Sequence, residues 1–384
     1  MPGRERLENQ KGGGLRVLIL QDYLRCGGTE RQSVHLARQL HAEGNDVSVL
    51  TFRPGGLLSE ELVRAGVPHR ALQPLDTCLN FLAPGLFRAL RQHRPQVILC
   101  MGRTSNSYAG FIQRRFPEIA VIGTVRTGKP LPALNRWSLR QVSGVLTNTD
   151  WWRLRLIHMG VDPGRIAVVT NGLTRNWALE NRLPSRERRR EELQVGPSTV
   201  VFLNVAGFRD GKRHARLIEF FSTLDSDWDW RLWLVGDGRQ WQRCRRLAER
   251  LEPRRIRLVG HDADPFAWYS AADVAVSVSL EDSLPNFLVE AQTLGLPVVA
   301  TEFKGVGEAL RHGETGFLVA PRDADAFRFA IEQLYLDAER RHRMSRQAAA
   351  FAAEHYSSGL RVSKTFDALS RFHEMHLGSE ERYA

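Results

Sequence analysis

The sequence predicts an α/β protein of two domains, each a sheet built from βα units. Three observations predict it. The chain has 384 residues, more than one hydrophobic core usually serves. Short apolar runs alternate with helical patterns to the end of the chain, which is the mark of βα repeats and not of sandwiches or bundles. The stretch from Asp282 to Thr301 sets two carboxylates, Asp282 and Glu290, eight positions apart between two apolar runs. Asp282 then lies just outside the carboxyl end of one strand, and Glu290 on the helix that follows. Ligands of open parallel sheets bind at that edge, and a helix start offers unpaired N–H groups to an anion. These residues alone predict a site for a phosphorylated ligand, with Glu290 as an acceptor for hydroxyl groups.

The elements follow in order. Residues 15–20 are an apolar run that predicts the opening strand. A loop with Gly27 and Gly28 leads to a helix from about Thr29 to Glu43, stopped by Gly44. Further strands are predicted at 47–52, 97–100, 120–125, 145–147 and 166–169. Asn171-Gly172 is a turn signal, Arg186 to Arg190 opens a charged helix, and the break between domains falls near 172–197. The second domain has predicted strands at 199–205, 232–235, 256–259, 274–278, 298–300 and 317–319. Pro285 to Leu294 reads as a helix, with Gly295 as its stop. The tail, roughly 338–372, is helical. Neither a solenoid repeat nor a low-complexity segment is visible.

Charge is lopsided. Residues 1–180 carry 24 Lys and Arg against 13 Asp and Glu, and the rest of the chain carries 30 against 30. All the formal excess of +11 therefore sits in the first half. That points to an anionic partner for the first domain, such as a membrane surface, a lipid diphosphate or nucleic acid; the plainer alternative is a solvated arginine-rich surface. A nucleic-acid partner is disfavoured, because no recognisable motif occurs and aromatics are not interleaved with the basic residues. Cys26, Cys78, Cys100 and Cys244 are scattered with no CxxC pair, which favours a reducing compartment and argues against structural zinc. The polar start, Met1 to Gly14, shows no signal peptide. No apolar run approaches the roughly 18 residues a spanning helix needs, so a cytoplasmic protein is expected. None of the twelve histidines forms HxxxH or HExxH spacing, and Gly-x-Ser-x-Gly is absent, which removes the usual metal and hydrolase readings.

Four further constellations carry chemistry. Val205-Ala-Gly-Phe-Arg209-Asp-Gly-Lys212-Arg213-His214 follows the first strand of the second domain. Arg209 and Lys212 in such a loop can neutralise a diphosphate and stabilise charge on a leaving group; the alternative is a basic loop in water. Gly236 and Gly238 flank Asp237 at the next strand end, where small residues let backbone approach a ligand, or simply form a turn. Gly27-Gly28-Thr29-Glu30 matches a dinucleotide fingerprint only loosely, since no third glycine has the required spacing. Its expected job is to let a helix start face an anion. Arg126 and Lys129, in Thr124-Val-Arg126-Thr-Gly128-Lys129, either contact an anionic acceptor or are solvated.

The order of these motifs resembles the retaining, nucleotide-sugar-dependent glycosyltransferases of the GT-B fold, family four, group 1. The resemblance covers nearly the whole chain. It is densest through Val235-Gly-Asp-Gly238, Leu258-Val-Gly260, Ala271-Ala-Asp273-Val274, Ser279 to Glu290, Thr301 to Glu308 and Gly313 to Val319, with Gly27 to Arg31 and Val169-Thr-Asn171-Gly172 earlier. It implies two Rossmann-like α/β/α domains facing across a cleft. Residues 1–180 would bind the acceptor, 181–197 would be a linker region, 198–350 would bind the nucleotide sugar, and 351–384 would be a helix packing back on the first domain. Arg209, Lys212, Asp282 and Glu290 would be the catalytic set, with the two cations on the diphosphate and Glu290 on the ribose hydroxyls. The donor would also meet Gly27, Gly28, Gly236, Gly238, His261, Ser283, Leu284, Pro285, Asn286 and Glu308. Arg103, Arg126 and Lys129 would lie on the acceptor side.

Two positions depart from the family pattern. Asp282 stands where relatives carry glutamate, and Arg126 where many carry histidine. The implied reaction is transfer of a sugar, with retention, to a hydroxyl of a lipid-linked or cell-envelope precursor of the polysaccharide or lipopolysaccharide type. No cofactor and no metal is expected. The protein would be peripheral on the inner face of the cytoplasmic membrane, held by its basic half and by exposed aromatics such as Trp151 and Trp152. The alternatives are a sugar-nucleotide-binding protein without transferase activity and a nucleotide-sugar epimerase. A phosphorylase is disfavoured, as no segment resembles a pyridoxal phosphate site.

Overall fold

A computed structural model describes residues 14–25, 27–173, 186–262 and 265–380. The polar start up to residue 13, Cys26, the first part of the linker region (181–185) and the last four residues lie outside the described residues. The chain divides into two compact units. The first takes residues up to Arg126, Pro130–Thr170 and the chain from Ser358; the second takes Thr127–Lys129 and Asn171–Ser357.

The first unit is a seven-stranded parallel sheet: β1 (Arg16–Gln21), β2 (Asp46–Thr51), β3 (His69–Ala71), β4 (Val97–Cys100), β5 (Ala120–Val125), β6 (Gly144–Thr147) and β7 (Ile166–Val168), in the order β3-β2-β1-β4-β5-β6-β7. The inner strands are apolar on both faces because helices cover both. One face packs on Val34, Leu36 and Leu40 of the helix Gly28–Ala42 and on Val362, Leu369 and Phe372 of the helix Ser358–Glu380. The other packs on Leu86, Ile112, Leu139 and Trp152. The last helix of the chain is thus part of the first unit's core. It comes so close to β6 that a Cβ on Gly144 would lie 2.4 Å from the Phe372 ring.

The second unit is a six-stranded parallel sheet: β8 (Val200–Val205), β9 (Trp230–Val235), β10 (Ile256–Gly260), β11 (Val274–Ser277), β12 (Val298–Thr301) and β13 (Gly316–Val319), in the order β10-β9-β8-β11-β12-β13. Tyr269, Phe287, Leu288 and Tyr356 fill one face, and Phe221, Trp230, Phe327 and Ile331 the other. The charged helix Arg186–Glu192 is fastened to this unit by the buried Arg190. That guanidinium donates to the carbonyls of Ala271, Gly196 and Thr199 and to the Asp273 carboxylate.

Three features differ from the sequence reading. β3 escapes an apolar-run search because it is three residues long, polar and at a sheet edge. The helical tail is two helices, Ala338–Tyr356 and Ser358–Glu380, separated at Ser357 (φ −58°, ψ 142°). Trp152 is 3 % exposed and Trp151 only partly exposed, the two rings meeting edge to face at 5.1 Å. They belong to the helix Asp150–His158 and pack into the first unit's core, so they do not form an outward aromatic pair. A cluster of outward apolar side chains on the first unit lies in the loop at 75–82. The Gln73 side chain, buried, donates to the carbonyls of Leu79 and Leu82, and Arg53 grips Asp76. This internal bracing leaves Leu75, Leu79, Phe81 and Leu82 on the outside, with Phe81 66 % and Leu75 76 % exposed. Among the described residues no helix is long and apolar enough to cross a membrane.

Candidate active site

In each sheet the strand order reverses once, between β1 and β4 in the first and between β8 and β11 in the second. Ligands of open α/β sheets bind outside the carboxyl ends of the strands at such a reversal. The second unit places Arg209, Lys212 and Asp282 there. β8 runs into residues 206–213, which include a 3-10 turn, Asp210–Lys212, with Arg209 as its N-cap. β11 runs into residues 278–285, which lead to the helix Asn286–Thr293. β8 and β11 are neighbours, so the two loops flank the reversal. The Lys212 ammonium makes an ion pair with the Asp282 carboxylate across it. The loops also share a backbone bond, Leu280 N–H to the Gly211 carbonyl at 3.0 Å. Arg209 is exposed beside them.

Glu290 is on the helix Asn286–Thr293, where its carboxylate accepts from the Tyr269 hydroxyl at 2.7 Å. Its side chain is half-buried. Ser283, Leu284 and Pro285 are buried beneath the loop, and Asn286 begins the helix. Asn171, at the predicted turn, donates to the Leu284 carbonyl (2.7 Å) and to the Asn286 side-chain oxygen (2.8 Å). His261 is exposed after β10. Glu308 ends the turn Val306–Glu308 after β12, and its carbonyl accepts from the Tyr356 hydroxyl.

Gly236 and Gly238 follow β9, with φ of 135° and 143° that favour glycine. Their smallness also has a reason within the fold. A Cβ on Gly236 would lie 2.2 Å from the Ala206 carbonyl oxygen, and one on Gly238 2.6 Å from that of Phe208. The partner that comes close is the Arg209–Lys212 loop itself. It is stitched to this turn by Ala206 N–H to Val235, Phe208 N–H to Asp237 and Gln240 N–H to Phe208.

The first unit brings another set to its own carboxyl edge. Gly27 caps the helix Gly28–Ala42, and the Glu30 carboxylate folds back over it, 2.4 Å from where a Cβ would sit. That helix start therefore faces its own glutamate. The start of the helix Arg103–Arg115 is likewise filled: the Asp22 carboxylate accepts from the N–H groups of Thr104 and Ser105, both at 2.9 Å. Arg103 is exposed, its carbonyl held by Asn135. Arg126 follows β5 directly. It is partly exposed but its Nε is sealed from solvent, and burial pushes its pKa down to about 10, still a cation at neutral pH. Lys129 is exposed and groups with the second unit.

Three residues at the site escaped the sequence reading as individuals: Tyr269, Asn171 as a brace, and His214. His214, 2 % exposed, lies flat on the Phe208 ring with centroids 3.9 Å apart and planes 7° from parallel. Among the described residues neither of its ring nitrogens has a hydrogen-bond partner. Burial first, and the Lys212 charge second, push its pKa down to about 3, so it is a neutral plate under the basic loop. Among the described residues no cluster of three or more His, Cys, Asp or Glu side chains could hold a metal ion.

Residues 199–337 match the family described as "Glycosyl transferases group 1", and residues 26–176 match "Glycosyltransferase Family 4". A lipopolysaccharide core biosynthesis glycosyltransferase, LpsE of Rhizobium meliloti, is 32 % identical over 323 residues, spanning 83 % of this chain and 88 % of that protein. LpsD of the same organism, with the same description, is 25 % identical over 83 % of this chain and 88 % of its own. Among solved structures, Anabaena HepE in complex with UDP and glucose superposes with a TM-score of 0.79 at 20 % identity, over 93 % of this chain and 99 % of that one. The last of these speaks to the fold alone, two α/β units of the GT-B kind.

Proposed function

The chain belongs to glycosyltransferase family 4, group 1, and from that premise we propose a retaining transfer from a nucleotide-diphosphate sugar to a hydroxyl of a lipopolysaccharide-type or other lipid-linked saccharide. The observation that carries this reading is the Lys212–Asp282 pair astride the β8/β11 reversal, with Arg209 beside it. Two cations at a strand edge suit a diphosphate, and Asp282 keeps Lys212 neutralised until one arrives. Glu290, steadied by Tyr269, would accept from the ribose hydroxyls, and Glu308 would meet the sugar. As the glycosidic C–O bond to the diphosphate breaks, Arg209 and Lys212 would hold the charge gathering on the leaving oxygen. The acceptor hydroxyl would attack from the same face and give its proton to the leaving phosphate. With lysine and arginine performing the neutralisation, no metal is required. HepE's complex with UDP and glucose and the lipopolysaccharide core role of LpsE support the classes of donor and acceptor named here.

The donor is tested by thermal unfolding against UDP-, GDP-, ADP- and dTDP-sugars without added metal. One of them should raise Tm by several degrees, and Glu290→Ala should abolish the shift while leaving the unliganded Tm within a few degrees. A shift that survives in Glu290→Ala would remove that residue from the ribose site.

A lipid-linked acceptor calls for a membrane-facing surface. The braced loop with Leu75, Leu79, Phe81 and Leu82 supplies apolar side chains, and exposed Arg88, Arg91 and Arg94 lie just beyond it in sequence. Each basic group near an anionic surface is worth about 1 kcal/mol. The full chain should therefore pellet with phosphatidylglycerol vesicles, lose binding as salt rises, and bind at least several-fold more weakly as the Leu79→Ser, Phe81→Ser double variant. Equal pelleting of variant and wild type would place the contact elsewhere.

A further inference from the structure

We propose that the first unit carries an oxyanion site of its own, built on Arg361 and Arg126, which takes the phosphate or carboxylate group of an acidic acceptor. Arg361 is in the first turn of the helix Ser358–Glu380 and is 2 % exposed. Its Nη2 donates to the Gln32 carbonyl at 3.1 Å, while Nε and Nη1, sealed from solvent, have no hydrogen-bond partner among the described residues. The charge that acts on it is that of Arg126, of the same sign. Taking an uncompensated guanidinium out of water costs several kcal/mol. A lysine in this position could shed its proton; a guanidinium stays charged and cannot.

The same chain shows how it treats its other two buried arginines among the described residues. Arg53 is chelated by Asp76, with both contacts at 2.7 Å, and Arg190 is paired with Asp273. Among the described residues Arg361 has no such carboxylate in this unit. The missing charge is supplied by a ligand, since a planar fork of N–H donors matches a phosphate or carboxylate. The location agrees. Arg126 directly follows β5, Gln32 lies on the helix after β1, and the β1/β4 reversal falls between those strands. Of the two helix starts on this edge, one is filled by Asp22 and the other has Glu30 lying over its Gly27, so an incoming anion meets the arginines.

Assigning the anion to the acceptor rests on the transfer reaction proposed above; the site itself does not. The donor diphosphate has Arg209 and Lys212 in the second unit. The test is thermal unfolding of the full chain in inorganic phosphate against chloride at matched ionic strength, for wild type, Arg361→Met and Lys212→Ala. Phosphate should raise Tm of wild type and of Lys212→Ala by several degrees and leave that of Arg361→Met unchanged. In chloride, Arg361→Met should be at least as stable as wild type, because an uncompensated buried charge has gone. A variant that unfolds or is destabilised in chloride makes Arg361 a structural residue and overturns the proposal. So does an equal phosphate shift in Arg361→Met, which marks a general salt effect, or a shift lost in Lys212→Ala, which marks the donor site. The acceptor assignment is read separately. Acidic acceptors, phosphorylated or carboxylated, should exceed their neutral counterparts at least tenfold in kcat/KM, and the ratio should fall towards one in Arg361→Met. Equal use of both by wild type overturns the assignment. A wild type that responds to phosphate but to no nucleotide sugar would instead count against the transfer reaction.

Discussion

Lys212→Ala is expected to lower turnover at saturating donor by about a hundred- to a thousandfold, with the fold intact. The reason lies in the different worth of one ammonium in two states. Without ligand, Lys212 is paired with Asp282 at a partly exposed position, the two side chains being 19 % and 26 % accessible. Such a pair contributes about 0–1 kcal/mol to stability. In the transition state the same group faces negative charge that develops on the departing diphosphate. One aimed donor is then worth about 3–4 kcal/mol. Removing it should cost the reaction far more than the fold. The loop keeps its seat without Lys212, because its stitching to the Gly236–Gly238 turn is backbone to backbone. Lys212→Arg should restore part of the rate, and urea unfolding should show both variants within about 1 kcal/mol of wild type. A Lys212→Ala enzyme with near-normal kcat would remove Lys212 from the chemistry.

Much of the fold was legible because buried parallel strands are written as uninterrupted apolar runs. β4 and β5 fall at the predicted 97–100 and 120–125, and the Gly295 stop sits at φ 72° after the helix Asn286–Thr293. What was not legible depends on partners distant in sequence. Helical periodicity runs through Ser357, and only the packing of Val362, Leu369 and Phe372 on the first sheet shows that a new helix starts there. Asp282, Lys212 and Glu290 could be named as candidates from local motifs, since they lie in the loops and the helix that follow strands sequence can find. Tyr269 could not: it lies in an apolar stretch, and its hydroxyl acquires meaning only when folding brings it to Glu290. Arg361 is hidden for a similar reason. A basic residue in an amphipathic helix reads as surface, and its burial follows from the seat of that helix against Gln32 and Ser358's contact with His35. Gly236 and Gly238 teach a different lesson. Their conformation could be guessed, but the close approach of the neighbouring 206–208 loop, which also requires it, is set by the fold.

Below neutral pH the second unit should lose stability through His214, by on the order of 3 kcal/mol between pH 7 and pH 4. An unfolded histidine titrates near 6.5, whereas burial and the nearby Lys212 push the folded group down to about 3. Above 6.5 neither state binds the proton, and the full stability is present. As pH falls below 6.5 the unfolded chain takes up a proton that the folded one refuses. Stability is then lost at up to about 1.4 kcal/mol per pH unit until the folded pKa is reached, below which this group contributes no further change. The Phe208 stack offers no hydrogen bond that could hold an imidazolium, so protonation at low pH must open the site. His214→Phe keeps an aromatic plate there and removes the titration. Its extra volume carries a packing cost that does not vary with pH. Urea unfolding at a series of pH values should show wild type and His214→Phe diverging in slope below 6.5, with the variant the flatter of the two. Parallel curves would mean that the imidazole is solvated in the folded protein. Because His214 supports the loop that carries Arg209 and Lys212, the same loss should be visible as weakening of nucleotide-sugar stabilisation below pH 5, and that weakening should be smaller in His214→Phe.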